Sequence, residues 1–179
     1  MKTQNTRVLY DPVEIDDCVW GIAKFINEKY KNGDEESNLV FCPILTGAIP
    51  FFTNLSNYLE FDPYVEYIGV SSYNGTEQQD NFNVYKLPPA DTIKDRTVWL
   101  FDDIADSGLT LDFLTRTMLS MGAREVKTCV LLKKNTCTFP VDVYGFPLEN
   151  DDWIHGYGLD APNGRGRISP ALFATTLKS

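Results

Sequence analysis

Two carboxylates in succession, Asp102-Asp103, follow the apolar run Val98-Trp99-Leu100-Phe101 and lead into Ile104-Ala105-Asp106-Ser107-Gly108-Leu109-Thr110. Neighbours in a strand point to opposite faces, so paired charges inside a buried sheet would be costly. At the open end of a strand both can reach a ligand and accept from its hydroxyl groups. Asp106 to Thr110 then reads as a turn whose backbone N–H groups open a helix, which suits a monophosphate. Ser107 and Thr110 add hydroxyl donors, and Gly108 lets a phosphate approach the backbone closely. A ribose 5-phosphate fits this string, with its hydroxyls on Asp102 and Asp103 and its phosphate on the turn. A helix capped by Asp106 or Ser107, with the other acids solvated, accounts for part of the string but not for the whole.

The elements that must position these groups alternate along the chain. Asp11 is placed to cap a helix, with Pro12 at its first position and Glu14 completing a capping box. Tyr10 and Ile15 are spaced for a hydrophobic staple, and Ile15, Val19, Ile22 and Ile26 recur at helical spacing until Asn32-Gly33-Asp34. Leu39 to Leu45 is a continuous apolar run, as in a strand buried on both faces, and Thr46-Gly47 breaks it. A short helix follows with Ala48, Phe51, Phe52, Leu55 and Leu59 on one side. Tyr64 to Tyr73, Thr97 to Asp102 and Val126 to Leu132 read as further strands. Between the last two lies a helix carrying Leu111, Leu114, Met118 and Met121, closed by Gly122. Asn74 to Asn83 is polar and reads as a loop or flexible hairpin, and after Val143 short aromatic strands suggest a cap beside the sheet. This order predicts a parallel, doubly wound α/β sheet, whose ligands bind outside the carboxyl ends of the strands. Leu45-Thr46-Gly47 and Asp102 to Thr110 both fall at such ends.

Composition narrows the function classes. A chain of 179 residues with 43% hydrophobic content buries one good core. A net charge of −9 without a basic stripe argues against nucleic acid as a partner. The same charge repels a phosphorylated substrate, so affinity must come from local N–H groups, a few cations and bound metal. Cys18, Cys42, Cys129 and Cys137 form no C-x-x-C pair and read as reduced thiols. No apolar run approaches the roughly 20 residues that span a bilayer, and the N-terminus lacks the apolar core of a signal peptide, so a cytoplasmic protein is expected.

The segment from Val98 to Thr110 strongly resembles the phosphoribosyl pyrophosphate (PRPP) motif of type I phosphoribosyltransferases. Tyr67 to Tyr73 resembles the strand that enters that family's mobile catalytic loop. Leu131 to Thr136, Val141 to Phe146 and Trp153-Ile154-His155-Gly156-Tyr157-Gly158-Leu159-Asp160 resemble the purine-binding region of its hypoxanthine-guanine branch. The likeness runs from about Val8 to about Arg167. It implies the type I fold: a mostly parallel sheet flanked by helices, with a small hood formed by the chain ends. It further implies one domain over residues 1–179, with the core at about 35–142 and the hood made by the N-terminal segment and about 143–179.

The implied reaction joins PRPP to a 6-oxopurine, hypoxanthine or guanine. Asp102, Asp103 and Ala105 to Thr110 would hold the ribose phosphate, with Asp106 as general base near purine N7. Lys134 would donate to the purine O6, Trp153 would stack on the base, and Ile154 would present backbone groups to its far edge. Leu45, Thr46 and Gly47 match the pyrophosphate loop, and Ser72 and Tyr73 open the mobile loop. Mg²⁺ is the implied cofactor, one ion held by Asp160 mostly through water and another carried on PRPP near Asp102 and Asp103. The family also implies a homodimer or homotetramer.

The sequence departs from that pattern at named places. Thr46 and Leu109 stand where many relatives carry lysine, which predicts weaker PRPP or pyrophosphate affinity. The expected pyrophosphate arginine falls on Gly166, between Arg165 and Arg167, either of which could replace it. Ala161-Pro162-Asn163-Gly164 replaces an aromatic stretch, and His155 reads as a non-catalytic strand residue. Two other readings stand beside this one: a xanthine-preferring transferase, and a non-catalytic nucleotide-sensing regulator on the same fold.

Overall fold

The computed structural model describes residues 5–31, 38–72, 82–149 and 152–176. The first strand, β1 (Asn5–Tyr10), feeds helix α1 (Pro12–Tyr30) through a complete capping box. Asp11 Oδ1 accepts from the Val13 and Glu14 amides at 2.9 Å, and Glu14 Oε2 accepts from the Asp11 amide at 2.8 Å. Ile15, Val19, Ile22, Ala23 and Ile26 form the buried stripe, as their spacing requires. Tyr10 stacks its ring on Phe146 at 3.8 Å, so this residue ties the helix start to the sheet edge.

The main sheet has the order β5-β4-β2-β6-β7-β8, with β3 paired to β2 off this path. Its strands are β2 (Leu39–Leu45), β3 (Tyr64–Val65), β4 (Ile68–Ser72), β5 (Phe82–Lys86), β6 (Thr97–Ala105), β7 (Glu125–Lys134) and β8 (Val143–Leu148). All pairings are parallel except β4 with β5. Strand alternation feeds two cores. Leu39, Phe41, Trp99, Phe101 and Leu131 pack with α1 and α2 (Ile49–Ser56) on one face. Val40, Cys42, Val98, Leu100 and Val130 pack on the other with Ile93 of α3 (Ala90–Ile93) and with Leu111, Leu114 and Met118 of α4 (Leu109–Ser120). Helices on both faces explain why the strands read as unbroken apolar runs. Pro43 is tolerated inside β2 because it falls between the β3 pairing at Val40–Phe41 and the β4 pairing at Ile44–Leu45.

A second, antiparallel sheet of order β1-β10-β9 brings the chain ends together, with β9 (Trp153–His155) and β10 (Leu172–Thr176). His155 lies in this sheet, stacked on Phe173 at 5.4 Å with Nε2 3.1 Å from Thr175 Oγ1. Several boundaries differ from the sequence reading. Tyr64 to Tyr73 is two strands, not one, because β2 hands its edge from β3 to β4; Tyr73 lies outside the described residues. Leu59 follows α2 rather than belonging to it, and Phe82 and Asn83 are strand, whereas 73–81 lie outside the described residues. Val143–Leu148, which the sequence places in the hood, extends the main sheet as a parallel partner of β7. Its mixed exposure, with Tyr144 and Pro147 open and Leu148 buried, goes with its place at the end of the sheet order rather than in a separate layer. All four cysteines are free thiols. Among the described residues no helix is long and apolar enough to cross a membrane.

Because the capping box satisfies donors that helix α1 cannot satisfy internally, Asp11→Ala is expected to lower unfolding stability by about 1 kcal/mol. Urea denaturation monitored by circular dichroism reads this directly.

Candidate active site

The site forms where the central ladder stops. Strand β6 pairs with β2 only as far as Pro43–Phe101, but with β7 on to Ala105–Lys133. Strand β6 runs on to Ala105, three residues past the Asp102 at which the sequence reading ends it, so Asp102 and Asp103 both lie within the strand, and the β2 side opens just where they begin. Asp103 is buried, with its Oδ1 accepting from the Ile104 amide at 2.7 Å. Its carboxylate occupies the space that any side chain at Gly47 would need. Asp102 is half-buried, and its Oδ1 accepts from the Asp103 amide at 3.0 Å. Burial, reinforced by the charge of Asp103, holds the Asp102 carboxyl well above the usual range. Burial also raises Asp103, against the opposing pull of its hydrogen bonds with Asp102 and the Ile104 amide and, more weakly, of Arg167.

The turn after β6 is held from behind. Gly108 has φ +87°, and a Cβ there would collide with Phe139 and come within 3.0 Å of Cys137 Sγ. Both backbone angle and packing thus require glycine, a reason beyond the phosphate access that the sequence suggests. Thr136 Oγ1 donates to the Asp106 carbonyl at 3.2 Å, and the Leu109 amide donates to Ser107 Oγ at 3.3 Å. Asp106, Ser107 and Leu109 are exposed at the mouth, Thr110 is half-buried, and Ala105 is buried beneath them. The first-turn amides of α4 have no intrahelical acceptors and face this opening.

Alternation along β7 separates two adjacent lysines. Lys133 lies over the Tyr144 ring at 5.6 Å, whereas Lys134 reaches Asp106, with Nζ 2.7 Å from Oδ2. Lys134 is shielded and Asp106 is open, at 16% and 64% side-chain exposure, so the pair presents its carboxylate to solvent.

The third wall comes from the hood. Gly156, Tyr157 and Gly158 have φ of +93°, +46° and +100°, forming a tight reversal that delivers Asp160. A Cβ at Gly158 would strike the Gly47 carbonyl, so the two loops touch there through backbone, with the Pro50 ring beside the contact. Trp153 donates its indole N–H to the Asp160 carbonyl at 2.8 Å. Arg167 Nη2 pairs with Asp160 Oδ2 at 3.0 Å, and its Nη1 donates to the Gly158 carbonyl at 2.7 Å. Arg165 and Arg167 are both exposed, but only the Arg167 guanidinium is tied to Asp160 and Gly158, whereas the Arg165 amide donates to Asn163 Oδ1 at 3.0 Å. Ile154 is buried opposite Ala174 in the hood sheet. Leu45 and Gly47 are half-buried and Thr46 is exposed on the neighbouring loop. Ser72 ends β4, and Tyr73 lies outside the described residues. Sequence reasoning gave no role to Gly158; its signal was the pair of glycines flanking Tyr157.

A doubly covered parallel sheet, paired acids at a ladder end, an N–H-lined turn and a hood of chain ends coincide with a known family. The phosphoribosyl transferase domain model matches residues 14–162, and the chain belongs to that family of transferase enzymes. Within it, the chain is 34% identical to the hypoxanthine-guanine-xanthine phosphoribosyltransferase of Tritrichomonas foetus, over 88% of this chain and 85% of that one. It is 31% identical to the hypoxanthine-guanine phosphoribosyltransferase of Mycobacterium avium, over 86% and 77% respectively. Among solved structures, the hypoxanthine phosphoribosyltransferase of Trypanosoma cruzi superposes with a TM-score of 0.85 at 26% identity, covering 95% of this chain and 91% of that one.

The Asp102–Asp103 pair has a consequence for stability. Carboxyls raised in the folded state bind more protons there than in the unfolded chain, so their charge destabilises the fold as pH rises above the ordinary carboxylate range. Asp102→Asn is therefore expected to melt higher than the parent protein at pH 7.5. That gap should narrow as pH falls towards the ordinary aspartate pKa of about 3.9 and close below it, where the aspartates are protonated in both states. Differential scanning calorimetry across this range checks both sign and window.

Proposed function

We propose that the chain transfers the 5-phosphoribosyl group of PRPP to N9 of hypoxanthine or guanine, giving IMP or GMP and pyrophosphate. The observation that carries this reading is the Lys134–Asp106 pair, a donor-only ammonium 2.7 Å from an acceptor-only carboxylate beside the N–H-lined turn. A 6-oxopurine protonated at N7 offers the matching pattern on one edge, with O6 as acceptor and N7–H as donor. Lys134 donates to O6 and Asp106 accepts from N7. An amino group at position 6, as in adenine, would confront the ammonium with another donor.

The ribose phosphate sits on Ser107 to Thr110, with its hydroxyls on Asp102 and Asp103, whose raised carboxyls gain from donors or cations. The bond from C1 to the pyrophosphate oxygen breaks, its electron pair leaves with pyrophosphate, and N9 bonds to C1. Asp106 takes the N7 proton as positive charge develops on the ring. The Trp153 ring, 41% exposed, stacks on the base, and Ile154 offers backbone groups to its far edge. Thr46-Gly47 and Arg167 face the leaving group. Arg167 is the cation present where Thr46 and Leu109 replace lysines, so weaker PRPP affinity remains the expectation.

The residues fit Mg²⁺ held mainly through water. Among the described residues no three His, Cys, Asp or Glu side chains converge on one point, while Asp160 keeps a partly exposed carboxylate with one oxygen on Arg167. When bound, Mg²⁺ supplies charge neutralisation to the leaving pyrophosphate. A cytoplasmic homodimer or homotetramer completes the proposal. The likeness to the Tritrichomonas foetus protein, whose name includes xanthine, makes xanthine a third base to test.

A spectrophotometric assay with PRPP, Mg²⁺ and hypoxanthine, guanine, xanthine or adenine tests the reading. Turnover of hypoxanthine or guanine is expected, falling about 10²- to 10⁴-fold in Asp106→Asn. Lys134→Met is expected to lower kcat/KM for hypoxanthine about 10- to 100-fold. Turnover of xanthine alone would make the chain a xanthine enzyme. Nucleotide binding without turnover of any base would move the assignment to a regulator.

A further inference from the structure

Trp153 does more than offer a flat face. Its indole N–H donates to the carbonyl of Asp160, seven residues on, at 2.8 Å. The Asp160 carboxylate pairs with Arg167 at 3.0 Å, and Arg167 donates to the Gly158 carbonyl at 2.7 Å. Gly158 in turn packs on the carbonyl of Gly47. One continuous set of contacts therefore runs from the surface that would meet the purine to the loop that would meet pyrophosphate. Stacking needs only the ring, which phenylalanine also provides. The N–H is additional, and it acts on backbone that carries the opposite half of the site.

We propose that Trp153 is a coupling residue, its indole N–H linking the base platform to the Asp160–Arg167 loop so that a base and a pyrophosphate-side ligand each tighten the other's binding. This rests on the transferase reading above. Free Trp153 is 41% exposed and its bond to the Asp160 carbonyl is open to solvent, so water competes for its N–H. A stacked base fixes the ring and shields it from water, which strengthens the hydrogen bond and holds Asp160, and through it Arg167 and Gly158, in place. A ligand on the pyrophosphate side orders the same loop from the other end. By linkage the two effects are equal in size.

The test is calorimetric titration of hypoxanthine with and without Mg²⁺ and inorganic pyrophosphate. This pair cannot react, because no ribose is present. In the parent protein, pyrophosphate is expected to tighten hypoxanthine binding. In Trp153→Phe that enhancement should shrink by about two- to tenfold, with a smaller change in hypoxanthine affinity alone. Replacing residue 153 by 3-benzothienylalanine, which keeps the fused ring but puts sulfur where the N–H was, should give the same loss and separates the donor from ring size. Retention of the whole enhancement in both variants, or its absence from the parent protein, overturns the proposal. Turnover of PRPP with hypoxanthine by the parent preparation keeps the two readings apart. If turnover is absent the transferase reading fails, and if it is present with unchanged coupling only this inference fails.

Discussion

The carboxylate of Asp103 fills the space where a side chain at position 47 would lie, and the backbone of Gly158 closes on the carbonyl of the same Gly47. Most of the site's geometry depends on this three-way contact. It brings the end of the central strand β6, the loop after β2 and the hood reversal to one place, the two loops meeting backbone to backbone beside the Pro50 ring. Close-packed interiors transmit displacements of even a methyl group, so a Cβ at either glycine would push apart elements that must act together. The hood has its own sheet and its own long-range pairings, yet it meets the core here through backbone atoms. A contact made by backbone is insensitive to rotamer changes, and that suits a joint between two halves of a binding site.

Electrostatics explains how so acidic a chain would serve the phosphorylated substrate proposed for it. The net charge is −9, and two carboxylates are held raised at the very centre of the site. Against this stand few cations, each placed by a specific partner: Lys134 by Asp106, Arg167 by Asp160 and the Gly158 carbonyl. In the free protein the cations are thus paired with the acids that would work beside them in catalysis. Such pairing limits the cost of half-buried charge while leaving each group within reach of a ligand. The oriented amides of the turn before α4 supply the remaining positive potential without adding formal charge.

Much of the fold was legible because its causes are local. The capping box at Asp11, the helical stripe from Ile15 to Ile26, and the left-handed Gly122 after α4 are written within a few residues of where they act. The unbroken apolar runs of β2, β6 and β7 announced burial on both faces. Reading failed where an element's identity depends on a distant neighbour. The split of Tyr64 to Ser72 into two strands follows from which part of β2 each one meets. The place of Val143–Leu148 in the main sheet follows from β7 offering a free edge. Neither partner leaves a trace in the strand's own composition.

The same division holds in the site. From sequence alone came the residue types that make the chemistry possible: paired acids after an apolar strand, a glycine turn opening a helix, a lysine at a strand end and an aromatic before Gly156-Tyr157-Gly158. These are local, because a strand's alternation and a helix's free amides are set by a few consecutive residues. Tertiary structure decided which of them meet. Lys134 rather than Lys133 reaches Asp106, 28 residues away, because alternation along β7 turns the two to opposite sides. Arg167 rather than Arg165 joins Asp160 because the hood reversal brings the Gly158 carbonyl to its guanidinium. Such choices turn on differences of a few ångströms between segments far apart in the chain, and only the packing of the whole molecule sets those distances.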